Sequence, residues 1–288
     1  MTRLFTALVT LLLTLSTWAQ PRRIVSTFPS VTETLFALGI GDRVVGVSTY
    51  CRYPPAVLAL PKIGTYTKPD VEKIALLRPD LVIIQRGAPG LADRLSAVGL
   101  RCLPVKVGSL DEVYSMILDI GAAAGVQDKA SSLNEQIRSR LESIRHEHIL
   151  RQRIPVLMVV GRTPGLLTNL IAVGSSTYLE ELLQIAGGVN VLGDTAIAYP
   201  HISLETVVRL NPNVILDMSM MGEAGEPGPR EEHLRQSWLA HKELAAVRNG
   251  MVFGLTSETL VTPGPRVVDA VELIRTKIQA AIGPKGRL

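Results

Sequence analysis

Histidine is missing from the entire first half of this chain. All five histidines lie at or beyond His146. Imidazole ligands drawn from both halves are therefore impossible, which argues against a zinc or manganese carrier. Cysteine is nearly as scarce, with Cys51 and Cys102 alone and no Cys-x-x-Cys pair. Also lacking are Gly-x-Ser-x-Gly, a phosphate loop ending in Gly-Lys-Ser/Thr, and His-Glu-x-x-His, so no nucleophile or metal constellation supports an exported enzyme. The net charge is only +4, with basic and acidic residues interspersed. A nucleic-acid footprint would need clustering on one face. Beyond the first twenty residues, no apolar run approaches the roughly 20 residues that span a bilayer.

What is present begins with an export signal. Arg3 opens it, an apolar run fills 4–15, and Thr17-Trp18-Ala19 offers a small-x-small cleavage site. The expectation is a leader over 1–19, cut near Ala19, and a mature protein in a periplasm. No cysteine follows the apolar run, so lipid attachment is not expected. Export permits a disulfide between Cys51 and Cys102. A buried free thiol suits Cys102, within the strand-like segment 101–105, equally well.

The dominant internal signal is a duplication. Residues 71–83 return as 204–216, and one offset carries Glu72 onto Glu205, Leu77 onto Leu210 and Pro79 onto Pro212 without a gap. Each copy reads as a short helix stopped at a proline and followed by a buried strand. Two related halves predict two similar lobes with a cleft between them.

Elsewhere strands alternate with helices, the pattern of a parallel α/β sheet. Ser30-Val31-Thr32-Glu33 and Thr177-Tyr178-Leu179-Glu180 both have the form of a capping box. Residues 127–152 contain neither proline nor glycine, and Leu133, Ile137, Leu141 and Ile144 recur at helical spacing. The predicted layout is an α/β lobe over 20–125, one long linking helix over 126–152, and a second α/β lobe over 153–288. Both lobes carry mostly parallel central sheets.

Ligands of such sheets sit on the loops beyond the carboxyl ends of the strands. Those loops offer Phe28 and Pro29, Tyr50 and Cys51 with Arg52, Tyr66, and Arg86 in the first half. In the second they offer Arg162, Tyr199 and Glu258. Aromatic residues make up only 4% of the chain, yet four of six tyrosines fall on these loops. Tyrosine presents a flat apolar face with a hydroxyl, which suits a broad, flat, partly polar ligand. Arg52, Arg86 and Arg162 could meet an anionic group, although a solvated surface role accounts for any one of them. His201, beside Tyr199, is a weak candidate for a metal held within a macrocycle. Glu72 and Glu205 each follow a capping residue by two positions. The helix dipole alone, worth about 0.3–1 kcal/mol, accounts for an acid there. Their duplication also allows two matched knobs for a partner with paired basic pockets.

Pro29-Ser30-Val31-Thr32-Glu33, Gly46-Val47, Tyr50-Cys51-Arg52-Tyr53-Pro54-Pro55, Arg78-Pro79-Asp80-Leu81-Val82 and Ala186-Gly187-Gly188-Val189-Asn190 together resemble periplasmic substrate-binding proteins. The class is the one with a helical backbone, serving cobalamin, ferric-siderophore and haem ABC importers. The resemblance spans the whole mature chain in order and is strongest to the cobalamin-binding members. It implies a monomer with no resident cofactor, taking up a corrinoid such as cobalamin, or alternatively an iron chelate. It also implies aromatic walls at Tyr50, Tyr66 and Tyr199, and an ABC permease dimer engaged by Glu72 and Glu205. Two departures stand out. Leu166 and Leu167 occupy a stretch where an aromatic is expected, and Arg52 replaces an Asp.

Overall fold

The computed structural model describes residues 20–147, 153–219 and 231–282. The expected leader, the end of the expected linking helix and residues 220–230 lie outside the described residues.

The first half builds β1 (Ile24–Ser26), α1 (Pro29–Ala37), β2 (Val44–Val47), α2 (Val71–Leu76), β3 (Leu81–Gln85), α3 (Leu91–Ala97), β4 (Cys102–Val105) and α4 (Leu110–Ala124). Its four strands form a parallel sheet in the order β2-β1-β3-β4. Successive side chains of a strand face opposite ways, and the packing follows that rule. Ile24, Leu81 and Ile83 join α1 and α4. Val25, Val82 and Ile84 pack with Ile74, Leu91 and Leu95 on the other face. A sheet covered on both sides needs such continuous apolar strands.

Helix α5 (Gln127–His146) leads into the second half. There follow β5 (Ile154–Gly161), β6 (Leu170–Ala172), α6 (Tyr178–Ile185), β7 (Gly188–Asn190), β8 (His201–Ile202), α7 (Leu204–Leu210), β9 (Val214–Asp217), α8 (Glu231–Gln236), α9 (Ala245–Arg248), β10 (Val252–Gly254) and α10 (Val267–Ile282). The sheet runs β10-β9-β5-β6-β8, with β7 also paired to β5. β10, β9 and β7 run parallel to β5, whereas β6 is reversed and pairs antiparallel with both β5 and β8. The expectation of strict strand-helix alternation fails here for a local reason. The Thr163 amide donates to the Thr168 carbonyl (2.9 Å) and Asn169 adopts φ 54°. The chain therefore folds straight back on β5 before any helix forms.

The duplication is structural as well as textual. Asp70 caps α2 by accepting from the Lys73 amide, and Ser203 caps α7 by accepting from the Thr206 amide. Each helix is followed by a residue of positive φ just before the proline, Arg78 (46°) and Asn211 (44°). β3 and β9, the strands that follow, are interior in their sheets.

Two local readings need correction. Helix α1 starts at Pro29, two residues earlier than a Ser30 cap requires, with Phe28 as its N-cap and no side-chain cap bond. Glu33 is thereby released from a capping role and pairs with Arg266. Thr177 does cap α6 through the Glu180 amide (3.1 Å), but the Glu180 carboxylate takes the Ser176 amide, one residue early. The cysteines are separate free thiols.

One apolar core runs through both halves. Leu35 of α1, Ile117 of α4, Leu141 of α5, Leu182 of α6 and Ile274 of α10 belong to a single cluster. Separating the halves would expose this surface to water, at a cost of about 25 cal/mol per Å².

Candidate functional site

A cavity of about 490 Å³ opens where the first sheet's strand ends meet the C-terminal segment. Ligand pockets of roughly 300–1,000 Å³ are usual for small molecules. The first half supplies Phe28 and Pro29 at the start of α1, Tyr50, Arg52 and Tyr66 from the loops after β2, and Gln85 at the end of β3. The facing wall is Glu258, Val261, Thr262 and Pro263.

Tyr50 and Tyr66 meet edge to face, with centroids 5.1 Å apart and planes at 68°. Such a pair is favourable and holds each ring in place. Tyr66 remains 43% exposed, so its free face is open to a guest. Arg52 reaches across the cavity, its Nη1 donating to Glu258 Oε1 at 2.9 Å. Next to it, the Tyr53 ring lies beneath the Arg266 guanidinium at 3.9 Å. Arg266 grips Glu33 with two hydrogen bonds, Nε to Oε2 at 2.8 Å and Nη2 to Oε1. Burial pushes the Glu33 carboxyl above its ordinary pKa against the opposing pull of Arg266, and the nearby charge of Glu258 adds to the rise. Segment 258–266 is thus tied to the first half by two ion pairs, one to the loop after β2 within the cavity and one to α1 beside it.

Four expected contacts fall elsewhere. The Cys51 side chain is 1% exposed, with Sγ between Thr32 Oγ1 (3.1 Å) and Ser48 Oγ (3.2 Å). Burial raises its thiol pKa, so it is an inert core group. Arg162 is sealed in an ion pair with Asp217, Nε to Oδ2 at 2.8 Å, with both side chains at or below 1% exposure. Arg86 is exposed and anchors only its backbone, donating its amide to the Val105 carbonyl (2.7 Å). Tyr199 stands 48% exposed and is not among the cavity-lining residues.

His201 sits in β8, paired with Ile171, also away from the cavity. Among the described residues, no group of three or more His, Cys, Asp or Glu is placed to hold a metal ion. Glu72 and Glu205 are both exposed in the first turns of α2 and α7 and form no ion pair among the described residues. Leu76, one turn after Glu72, is 81% exposed.

Val107, Val261, Thr262 and Pro263 line the cavity but escaped the sequence reading. The same strand-end rule could have found them, because Val107 follows β4 and 261–263 continue the loop after β10. They carry no charge and no reactive group, so nothing in their chemistry flags them.

Comparison with known proteins identifies the family. The chain is 30% identical over 276 residues to the vitamin B12-binding protein of Vibrio cholerae serotype O1, covering 94% of this chain and 95% of that one. It is 30% identical over 268 residues to an uncharacterised ABC transporter substrate-binding lipoprotein of Bacillus subtilis, covering 90% and 80%. The crystal structure of the periplasmic vitamin B12-binding protein of Vibrio cholerae superposes with a TM-score of 0.75 at 28% identity, covering 92% of this chain and 99% of that one. The apo structure of a periplasmic haem-binding protein from Roseiflexus does so with a TM-score of 0.75 at 26% identity, covering 90% and 99%. No helix among the described residues is long and apolar enough to cross a membrane. A family profile described as periplasmic binding protein matches residues 24–259, and the chain belongs to that family.

Proposed function

We propose that this protein is the periplasmic substrate-binding component of an ABC importer, carrying a corrinoid such as cobalamin to the permease without chemistry. Its leader is cleaved near Ala19 and it acts as a monomer. The observation that carries the reading is the Tyr50–Tyr66 pair, which presents an open aromatic face inside a cleft whose other lining residues are neutral apart from the mutually paired Arg52 and Glu258. A flat macrocycle gains dispersion and hydrophobic contact on that face, while Gln85 and Thr262 are in place to hydrogen-bond peripheral amides. The similarity to a vitamin B12-binding protein over nearly the whole length supports the same ligand. Cyanocobalamin should bind the purified protein at micromolar concentration or below. A protein that ignores cyanocobalamin but takes a ferric siderophore or haem from a small panel would refute the corrinoid assignment.

Glu72 and Glu205 are the proposed docking knobs. One unpaired carboxylate per half, at equivalent places of a duplicated helix, suits a two-fold permease with paired arginines. The exposed Leu76 gives the first knob an apolar rim. Reversing both charges (Glu72→Arg with Glu205→Arg) should leave cyanocobalamin affinity within about twofold and reduce uptake by tenfold or more. Undiminished uptake by that double variant would eliminate the docking role.

A further inference from the structure

Among the described residues, Arg52 and Glu258 are the only charged ones lining the cavity, and they are spent on each other. Of the other arginines considered as anion receptors, Arg162 is sealed against Asp217 and Arg86 lies outside the lining. Among the described lining residues, the cleft therefore offers an incoming carboxylate no uncommitted cation, and it sets Glu258 beside Arg52. We propose that the Arg52–Glu258 pair is a charge filter, admitting macrocycles with a neutral amide rim and rejecting those that carry carboxylates. This inference rests on the macrocycle-binding reading above.

The geometry assigns separate tasks to two neighbouring pairs. Glu33 and Arg266 are largely buried and pin segment 258–266 to α1. Arg52 and Glu258 are each 39% exposed within the cavity, in reach of a ligand. A half-exposed pair of this kind contributes little to stability, so its replacement leaves the fold intact. Its influence falls on the ligand. Glu258 neutralises the Arg52 guanidinium, which otherwise has the fork geometry that binds a carboxylate through two hydrogen bonds. It also repels any second carboxylate brought near. A neutral amide, by contrast, can accept from Arg52 or donate to Glu258 without breaking the pair.

The test compares hemin, an iron macrocycle with two carboxylates, with cyanocobalamin, whose corrin rim carries amides. Both are titrated into the wild-type protein, Glu258→Gln, and the double variant Arg52→Gln/Glu258→Gln. Glu258→Gln frees Arg52 and should raise the ratio of hemin to cyanocobalamin affinity about tenfold. The double variant should lose that gain, and added salt should shrink it. A ratio unmoved by Glu258→Gln, or a gain that survives in the double variant, would overturn the filter. Thermal midpoints taken alongside establish that each variant is folded. Failure of the corrinoid reading shows separately, as absent cyanocobalamin binding by the wild-type protein. The hemin arm then still reads the filter.

Discussion

Replacing Asp217 with alanine should destabilise the protein by about 3–5 kcal/mol, the usual cost of orphaning one member of a buried ion pair. Asp217 is fully buried at the end of β9 and satisfies donors from three side chains. Oδ2 accepts from Arg162 Nε and from Trp238 Nε1, each at 2.8 Å. Oδ1 accepts from the Ser219 hydroxyl (2.6 Å) and the Ser219 amide (3.0 Å). Alanine leaves a guanidinium and an indole N–H in an apolar site without their acceptor. A drop in thermal midpoint of roughly 10 °C or more should follow for a chain of this size. Arg162 keeps two carbonyl partners, Leu166 and Leu234. The double replacement Arg162→Met/Asp217→Leu should recover much of the loss, because the charges are then removed together. Cyanocobalamin affinity, measured well below the midpoint, should stay within about twofold in both variants. A large affinity loss in Arg162→Met without a stability loss would return Arg162 to the ligand site.

That pair marks where sequence reading stops. Arg162 lies on a loop beyond a strand, which is where a ligand contact belongs. Its partner is 55 residues further along the chain and is indistinguishable by pattern from any strand-end aspartate. Features written in short stretches were legible: the duplicated helix and strand, the caps at Asp70 and Ser203, and the two-faced apolar strands. The cap misplaced at Ser30 shows how sensitive such readings are, since Pro29 pre-sets helical φ and starts α1 two residues earlier. The cleft was half legible. Strand-end logic reached Phe28, Pro29, Tyr50, Arg52 and Tyr66, because the first sheet delivers its loops to one edge, and it reached Glu258 in the loop after β10. It failed for Tyr199 and Arg162, because the reversed strand β6, inserted between β5 and β8, diverts the second half's loops. No short-range signal announces that segment 258–266 crosses to α1, where Arg266 meets Glu33 over 233 residues of chain.

Removing the Tyr66 ring should weaken cyanocobalamin binding by about 10- to 100-fold, the scale of an aromatic anchor at a binding hot spot. Its exposed face makes Tyr66→Ala nearly silent in stability, so a binding loss there cannot be attributed to unfolding. Tyr50→Ala should act similarly but through two routes. It deletes a wall of the cavity, and it removes the edge-on neighbour that orients Tyr66. The double variant should therefore lose less than the product of the single losses, as expected for residues in contact. Tyr66→Phe separates the two classes of ligand. A corrinoid stacked on the ring needs the face and not the hydroxyl, and its affinity should stay within about threefold. A ferric chelate ligated by the phenolate would lose its iron–oxygen bond, and with it most of its affinity and its ligand-to-metal absorption band. Isothermal titration of cyanocobalamin against Tyr66→Ala and Tyr66→Phe decides the matter. Equal affinity for wild type and Tyr66→Ala would mean that the guest does not rest on this face.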